Sequence, residues 1–121
     1  MSEDDSHLVL GFSTSGAEAL AAKLPAANVV SAFSTAPSEV LLAVFGRRGK
    51  AAAPDLIYCG DNKVAKRRAA ALIRDAGFNP VDMGPLSSAR CVEPYSLLLA
   101  QLAYEGKGGP ELTYRFLHVS K

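Results

Sequence analysis

The sequence predicts an α/β fold, with a mostly parallel sheet of three to four strands, flanking helices and a long apolar C-terminal helix. Three observations carry that reading. Asp55-Leu56-Ile57-Tyr58-Cys59-Gly60-Asp61 is a short apolar run closed by a Gly-Asp turn and followed by a charged helical stretch. Pro80-Val81-Asp82-Met83 is a second short run, closed by Gly84-Pro85 and followed by an apolar helix. The repeated order of strand, tight turn and helix is the grammar of nucleotide-type α/β domains.

Each element has its own local reason. After a polar, acidic tail over residues 1–6, a single domain runs from 7 to 121. His7 to Phe12 is a mostly apolar stretch that reads as a strand. Ser15 and Glu18 make a capping box, so a helix follows and ends at Pro25. Asn28 to Phe33 is continuously apolar, as a strand covered on both faces would be, and a parallel β-α-β return is the economical connection. A short helix over Ser38 to Phe45 is expected to be capped by Ser38. The basic loop Gly46-Arg47-Arg48-Gly49-Lys50 reads as exposed. Asp61 is the expected N-cap of a helix from Asn62 to Ala76, stopped by Gly77. Val64, Ala71, Leu72 and Ile73 are expected on its buried side, with Lys63, Lys66, Arg67 and Arg74 outside. The last helix is expected to begin near Glu93-Pro94, since proline suits a first turn. Its residues from Tyr95 to Tyr104 are apolar around most of the circumference, which suits burial at an interface. Leu112 to Val119 reads as a final extended segment.

Composition narrows the partners. The chain has 121 residues and a formal net charge of +1, without the basic excess that nucleic acid or an anionic membrane surface calls for. No apolar run approaches the roughly 20 residues of a membrane span. The acidic start is unlike a secretory signal, and Cys59 and Cys91 stand alone with no disulfide framework, so a cytoplasmic setting is expected.

The chemistry-bearing residues are few. The turn Gly11-Phe12-Ser13-Thr14-Ser15-Gly16 lies where a phosphate could sit, but no Gly-x-Gly-x-x-Gly or P-loop string is present and Glu18 would repel an anion. A plain capped turn is the simpler reading. Ser34-Thr35-Ala36-Pro37 follows the C-terminal end of a strand, the edge where ligands collect in open α/β sheets; a hydrogen-bonded turn is the competing reading. Both cysteines read as small buried apolar residues, and two isolated histidines make no metal site. No catalytic residue emerges. Hydride transfer between bound cofactors stays open, because it needs positioning and exclusion of water rather than a protein acid or nucleophile.

Four strings also carry a resemblance: Val30-Ser31-Ala32-Phe33-Ser34-Thr35-Ala36-Pro37, Tyr58-Cys59-Gly60-Asp61, Asp82-Met83-Gly84-Pro85-Leu86-Ser87-Ser88-Ala89-Arg90-Cys91-Val92-Glu93, and Glu111-Leu112-Thr113-Tyr114-Arg115-Phe116-Leu117. In this order they resemble the C-terminal half of the coenzyme F-420-dependent NADP oxidoreductases. The Gly-Pro-Leu-x-x-x-Arg-x-x-Glu string is the most specific of them. The resemblance implies a partial Rossmann-like domain that lacks the glycine-rich half which binds NADP. It further implies that Ser34, Thr35 and Pro37 lie against the deazaflavin ring and that Leu112 adds an apolar contact. Ser34 departs from the histidine or asparagine usual in that family.

The expected function is therefore an oxidoreductase-related domain that supplies the deazaflavin side of an NADPH:F-420 hydride-transfer site. Coenzyme F-420 would bind this chain, and NADP only with a partner half, so the chain alone is not expected to be active. A homo-oligomer or a partner chain is expected to complete the sheet. The alternatives are a non-catalytic dimerisation or interaction module and a small-molecule sensor.

Overall fold

The computed structural model describes residues 13–50 and 52–119, so the strand expected over residues 7–12 lies outside the described residues. The element order is α1 (Gly16–Lys23), β1 (Val30–Ala32), α2 (Ser38–Gly46), β2 (Asp55–Gly60), α3 (Lys63–Asp75), β3 (Asn79–Asp82), a 3₁₀ turn (Leu86–Ser88) and α4 (Ala89–Glu105). The three strands form one sheet in the order β1-β2-β3.

β2 is the central strand, and every residue of it is buried. Its apolar run therefore meets protein on both faces, the property expected of Asn28 to Phe33. β1 is instead half-buried, at one end of the described sheet. β2 and β3 are parallel, joined by α3, whereas β1 and β2 are antiparallel. Among the described residues the sheet is thus half parallel. The parallel return expected between residues 7–12 and β1 lies outside the described residues.

Two apolar layers sandwich the sheet. On one face Val40 and Val44 of α2 and Ala70 and Ile73 of α3 pack with Leu56, Tyr58 and Phe78. On the other, Ala89 and Val92 of α4 pack with Ile57 and Cys59. Neighbouring β2 residues alternate between these layers, as the pleat requires.

Helix boundaries follow the expected signals with three corrections. Asn62, not Asp61, caps α3: its side-chain oxygen accepts from Ala65 N at 2.9 Å, while Asp61 Oδ1 accepts from Leu86 N at 2.9 Å. α2 has no side-chain cap; Pro37 precedes it, and Ser38 Oγ donates to the Glu39 carboxylate. α4 begins at Ala89 rather than at Glu93-Pro94, because the 3₁₀ turn has already set helical backbone ahead of it. Pro94 then lies inside the helix, where its missing N–H removes one bond from the ladder.

The buried face of α3 is also rotated from expectation. Ala70 and Ile73 point inward, while Val64, Ala71 and Leu72 are exposed. Ala70 is small enough to bring the helix close over Leu56 and Tyr58, so the bulkier ridge through Val64 and Leu72 faces out beside β1. Lys66, expected outside, is pinned: Nζ lies 2.7 Å from Asp82 Oδ1 and donates to Gly84 O at 3.0 Å, and only 15% of its side chain is exposed. Arg48 is exposed, as expected of its loop, and it also stacks on Phe45 at 3.6 Å and donates to Asp75 O at the end of α3. A cation there suits the negative end of the helix dipole. Cys59 is buried as expected, but Cys91 is exposed.

Candidate functional site

The candidate that gathers most of the expected site residues is the cleft beside the turn that leaves β1. Phe33 makes this turn with φ +66, the one non-glycine positive φ among the described residues. That conformation is strained for a bulky side chain and persists only where its surroundings hold it. Phe33 is held by packing against the α2–α3 core and by an edge-on contact with Phe78, with ring centroids 6.4 Å apart. Ala36 N closes the turn by donating to Phe33 O at 3.2 Å.

Where β1 ends, the β1 side of β2 loses its hydrogen-bonding partner. Tyr114 supplies it. Ile57 N donates to the Tyr114 hydroxyl at 2.9 Å, and Asp55 N donates to Tyr114 O at 2.9 Å. The same hydroxyl shares a 2.7 Å hydrogen bond with Thr35 Oγ1, whose residue is 3% exposed. Burial pushes the Tyr114 phenol above its ordinary range, so it stays protonated. Asp55 completes the anchorage: its carboxylate accepts from Asn79 Nδ2 at 2.9 Å and Phe116 N at 2.6 Å. One tyrosine thus joins the C-terminal segment, the central strand and the Ser34–Pro37 turn.

α4 forms the facing wall. Ser96 Oγ, buried, lies 2.9 Å from Val92 O and 3.1 Å from Ser34 Oγ. Between turn and helix lies a cleft of about 370 Å³, lined by Ser34, Thr35, Pro37, Ser96, Leu99 and Ala100 among others. Tyr104 also lines it, and its hydroxyl donates to Glu39 Oε1 at 2.7 Å. That bond holds the Glu39 carboxyl below its ordinary range and the Tyr104 phenol above its own.

The cleft unites three of the four expected site residues: Ser34, Thr35 and Pro37. Leu112 is half-buried in the C-terminal segment, its N–H donating to Pro110 O, and is not among the residues that line the cleft. Ser96 and Tyr104 escaped the sequence reading, since their contacts lie 62 and 65 residues away along the chain. A serine and a tyrosine breaking an otherwise leucine-rich helix were the only available signal. A further cleft of about 300 Å³ between α2 and the C-terminal segment, lined by Val44, Arg47, Pro54, Glu111 and Arg115 among others, holds none of the expected site residues.

The N-terminus of α1, the other weighed position, is filled from within. Glu93 of α4 accepts from Gly16 N at 2.8 Å and Ala17 N at 3.1 Å. Ser15 Oγ accepts from Glu18 N, and Arg90 grips the Glu18 carboxylate with two hydrogen bonds of 2.8 Å. A carboxylate of the chain sits where a phosphate would, so the turn is a structural cap. The same contacts give the Gly84–Glu93 string a physical role: Leu86 is buried, Arg90 neutralises Glu18, and Glu93 caps α1. Among the described residues no cluster of three His, Cys, Asp or Glu could hold a metal ion, and no helix is long and apolar enough to cross a membrane.

No protein-family model matches the chain. The chain is 41% identical over 85 residues to metalloreductase STEAP3 of Rattus norvegicus, a match covering 70% of this chain and 17% of that protein. The fold matches, at a TM-score of 0.72 and 20% identity, the crystal structure of a protein from Arthrobacter sp. FB24 assigned as an F-420-dependent NADP-reductase. That likeness covers 84% of this chain and 45% of the other. The chain therefore spans less than half of either protein, and it shares the α/β fold of the Arthrobacter protein.

Proposed function

We propose that this chain is an oxidoreductase-related domain that supplies the deazaflavin side of an NADPH:F-420 hydride-transfer site. The observation that carries the reading is the cleft at Ser34–Pro37, whose turn is tied to the C-terminal segment by the Thr35–Tyr114 hydrogen bond and to α4 by the Ser34–Ser96 hydrogen bond. Both similar proteins bear reductase names, which supports the class of activity.

The cleft suits a flat heteroaromatic ring. Its volume falls in the range of small-molecule sites, roughly 300–1,000 Å³. Pro37, Leu99 and Ala100 offer apolar surface to a ring face, and the exposed Ser34 hydroxyl, bonded to Ser96, keeps capacity for one more hydrogen bond to the polar ring edge. Thr35 is committed to Tyr114 and so positions the turn instead of reaching the ligand. Bound F-420 would supply the hydride acceptor or donor; the residues here would only orient the ring and exclude water.

The N-terminus of α1 offers NADP no place for its pyrophosphate, because Glu93 occupies it. The nicotinamide side must then come from a partner half, either another segment or another chain. Exposed Leu98 and Leu102 on α4, and Leu42 and Phe45 on α2, leave apolar surface for such a partner. The same surface favours the second reading, a domain kept for association alone.

Fluorescence titration with F-420, with NADPH as a parallel titrant, tests the proposal. Saturable F-420 binding without NADPH binding is expected. Failure to bind F-420, with the chain folded by circular dichroism, would leave association as its role.

A further inference from the structure

Another groove lies between α3 and β3, with a volume of about 620 Å³. Lys63, Arg67 and Arg74 line it along α3, Tyr58 lies at its base, and the Lys66–Asp82 ion pair spans it. It shares no lining residue with the Ser34–Pro37 cleft. Among the described residues, Lys63, Arg67 and Arg74 have no ion-pair partner, and Asp82, the acid lining the groove, is committed to Lys66.

The placement of Lys63 in the first turn of α3 runs against helix stability, whereas Arg74 lies in the last turn, where a cation is favoured. Lys63, Lys66, Arg67 and Arg68 fall in the first two turns of α3, and its first turn contains no acid. Aligned peptide dipoles make that end positive, so acids are favoured there and cations disfavoured. A helix arranged for stability alone would carry Asp or Glu in its first turn. An anion bound in the groove would remove the conflict.

We propose that this groove binds a small organic molecule through its phosphoryl groups. Lys63 and Arg67, one helical turn apart, clasp one group, and Arg74 takes a second about 10 Å farther along the helix. A phosphoryl group has three acceptor oxygens and can satisfy an ammonium and a guanidinium together, where a carboxylate with two is filled by one guanidinium fork. The concave shape suits a small molecule. Extended nucleic acid would need a basic excess and an exposed stacking ring; the net charge is +1 and Tyr58 is buried. This inference is independent of the deazaflavin reading.

Calorimetric titration of the chain with inorganic tripolyphosphate, at about 0.15 M salt, tests it. Saturable binding is expected, weakened about tenfold by Arg67→Gln and by Arg74→Gln, the loss of one charge-assisted contact each. Lys63→Glu is expected to weaken binding at least as much while raising the Tm by about 1–4 °C, because an acid then occupies the first turn. Absence of saturation, or binding indifferent to both arginines, would overturn the site. Equal affinity for tetraglutamate would overturn the phosphoryl assignment. A lowered Tm for Lys63→Glu would overturn the argument from the helix dipole.

Discussion

Single side chains do more positioning here than chemistry. Tyr114 is the clearest case, because one hydroxyl serves both the Ile57 amide and the Thr35 hydroxyl. Tyr114→Phe keeps the ring packing with Tyr95 and Phe116 but leaves both groups without that partner. The variant should lose about 1–3 kcal/mol of stability in urea denaturation, the cost of unpaired buried polar groups. Acid should act through Asp82. The hydrogen bond from Lys66 holds its carboxyl below the ordinary value of 3.8, so the folded chain binds that proton less readily than the unfolded one. Its contribution is therefore complete above the ordinary aspartate range and is lost as pH falls through the lowered folded value. Because half of the Asp82 side chain is exposed, the effect should be small. Lys66→Met should flatten the acid limb of a Tm-against-pH curve, and an unchanged limb would show that the pair contributes nothing.

At the level of elements, the sequence was most legible where local chemistry decides. The Ser15 capping box, the stop at Gly77 and the central apolar strand all follow from neighbours in the chain. Gly77 has φ +103, and an added Cβ would lie 2.9 Å from Val44 O, so both conformation and space require glycine. Gly77→Ala should destabilise by about 1–3 kcal/mol from backbone strain and further from the clash, measured as a fall in the denaturation midpoint. Legibility failed where distant elements decide. Asp61 and Asn62 are both sound N-caps, and only the 3₁₀ turn, arriving 25 residues later to claim Asp61, separates them. The rotation of α3 likewise depends on Ala70 meeting Tyr58 across the core, which apolar spacing along the helix does not encode.

Over the whole molecule, the Ser34–Pro37 cleft and the α3–β3 groove are built from separate residues. The Ser34–Pro37 turn could be picked out because ligands collect at strand ends, yet its facing wall could not, since Ser96 and Tyr104 meet it only through the packing of α4. Leu112, assigned with it, lies two residues before the tyrosine that anchors the segment, and the cleft lining does not include it. The central claim is that the cleft holds a deazaflavin ring. It is tested most directly by titrating F-420 against the chain and against Ala100→Trp, which fills the cleft from α4 without touching the Thr35–Tyr114 link. The account predicts saturable quenching with the unaltered chain and its loss in a variant that keeps its helical circular dichroism. Equal binding by both would place the ring elsewhere, and binding by neither would contradict the deazaflavin reading.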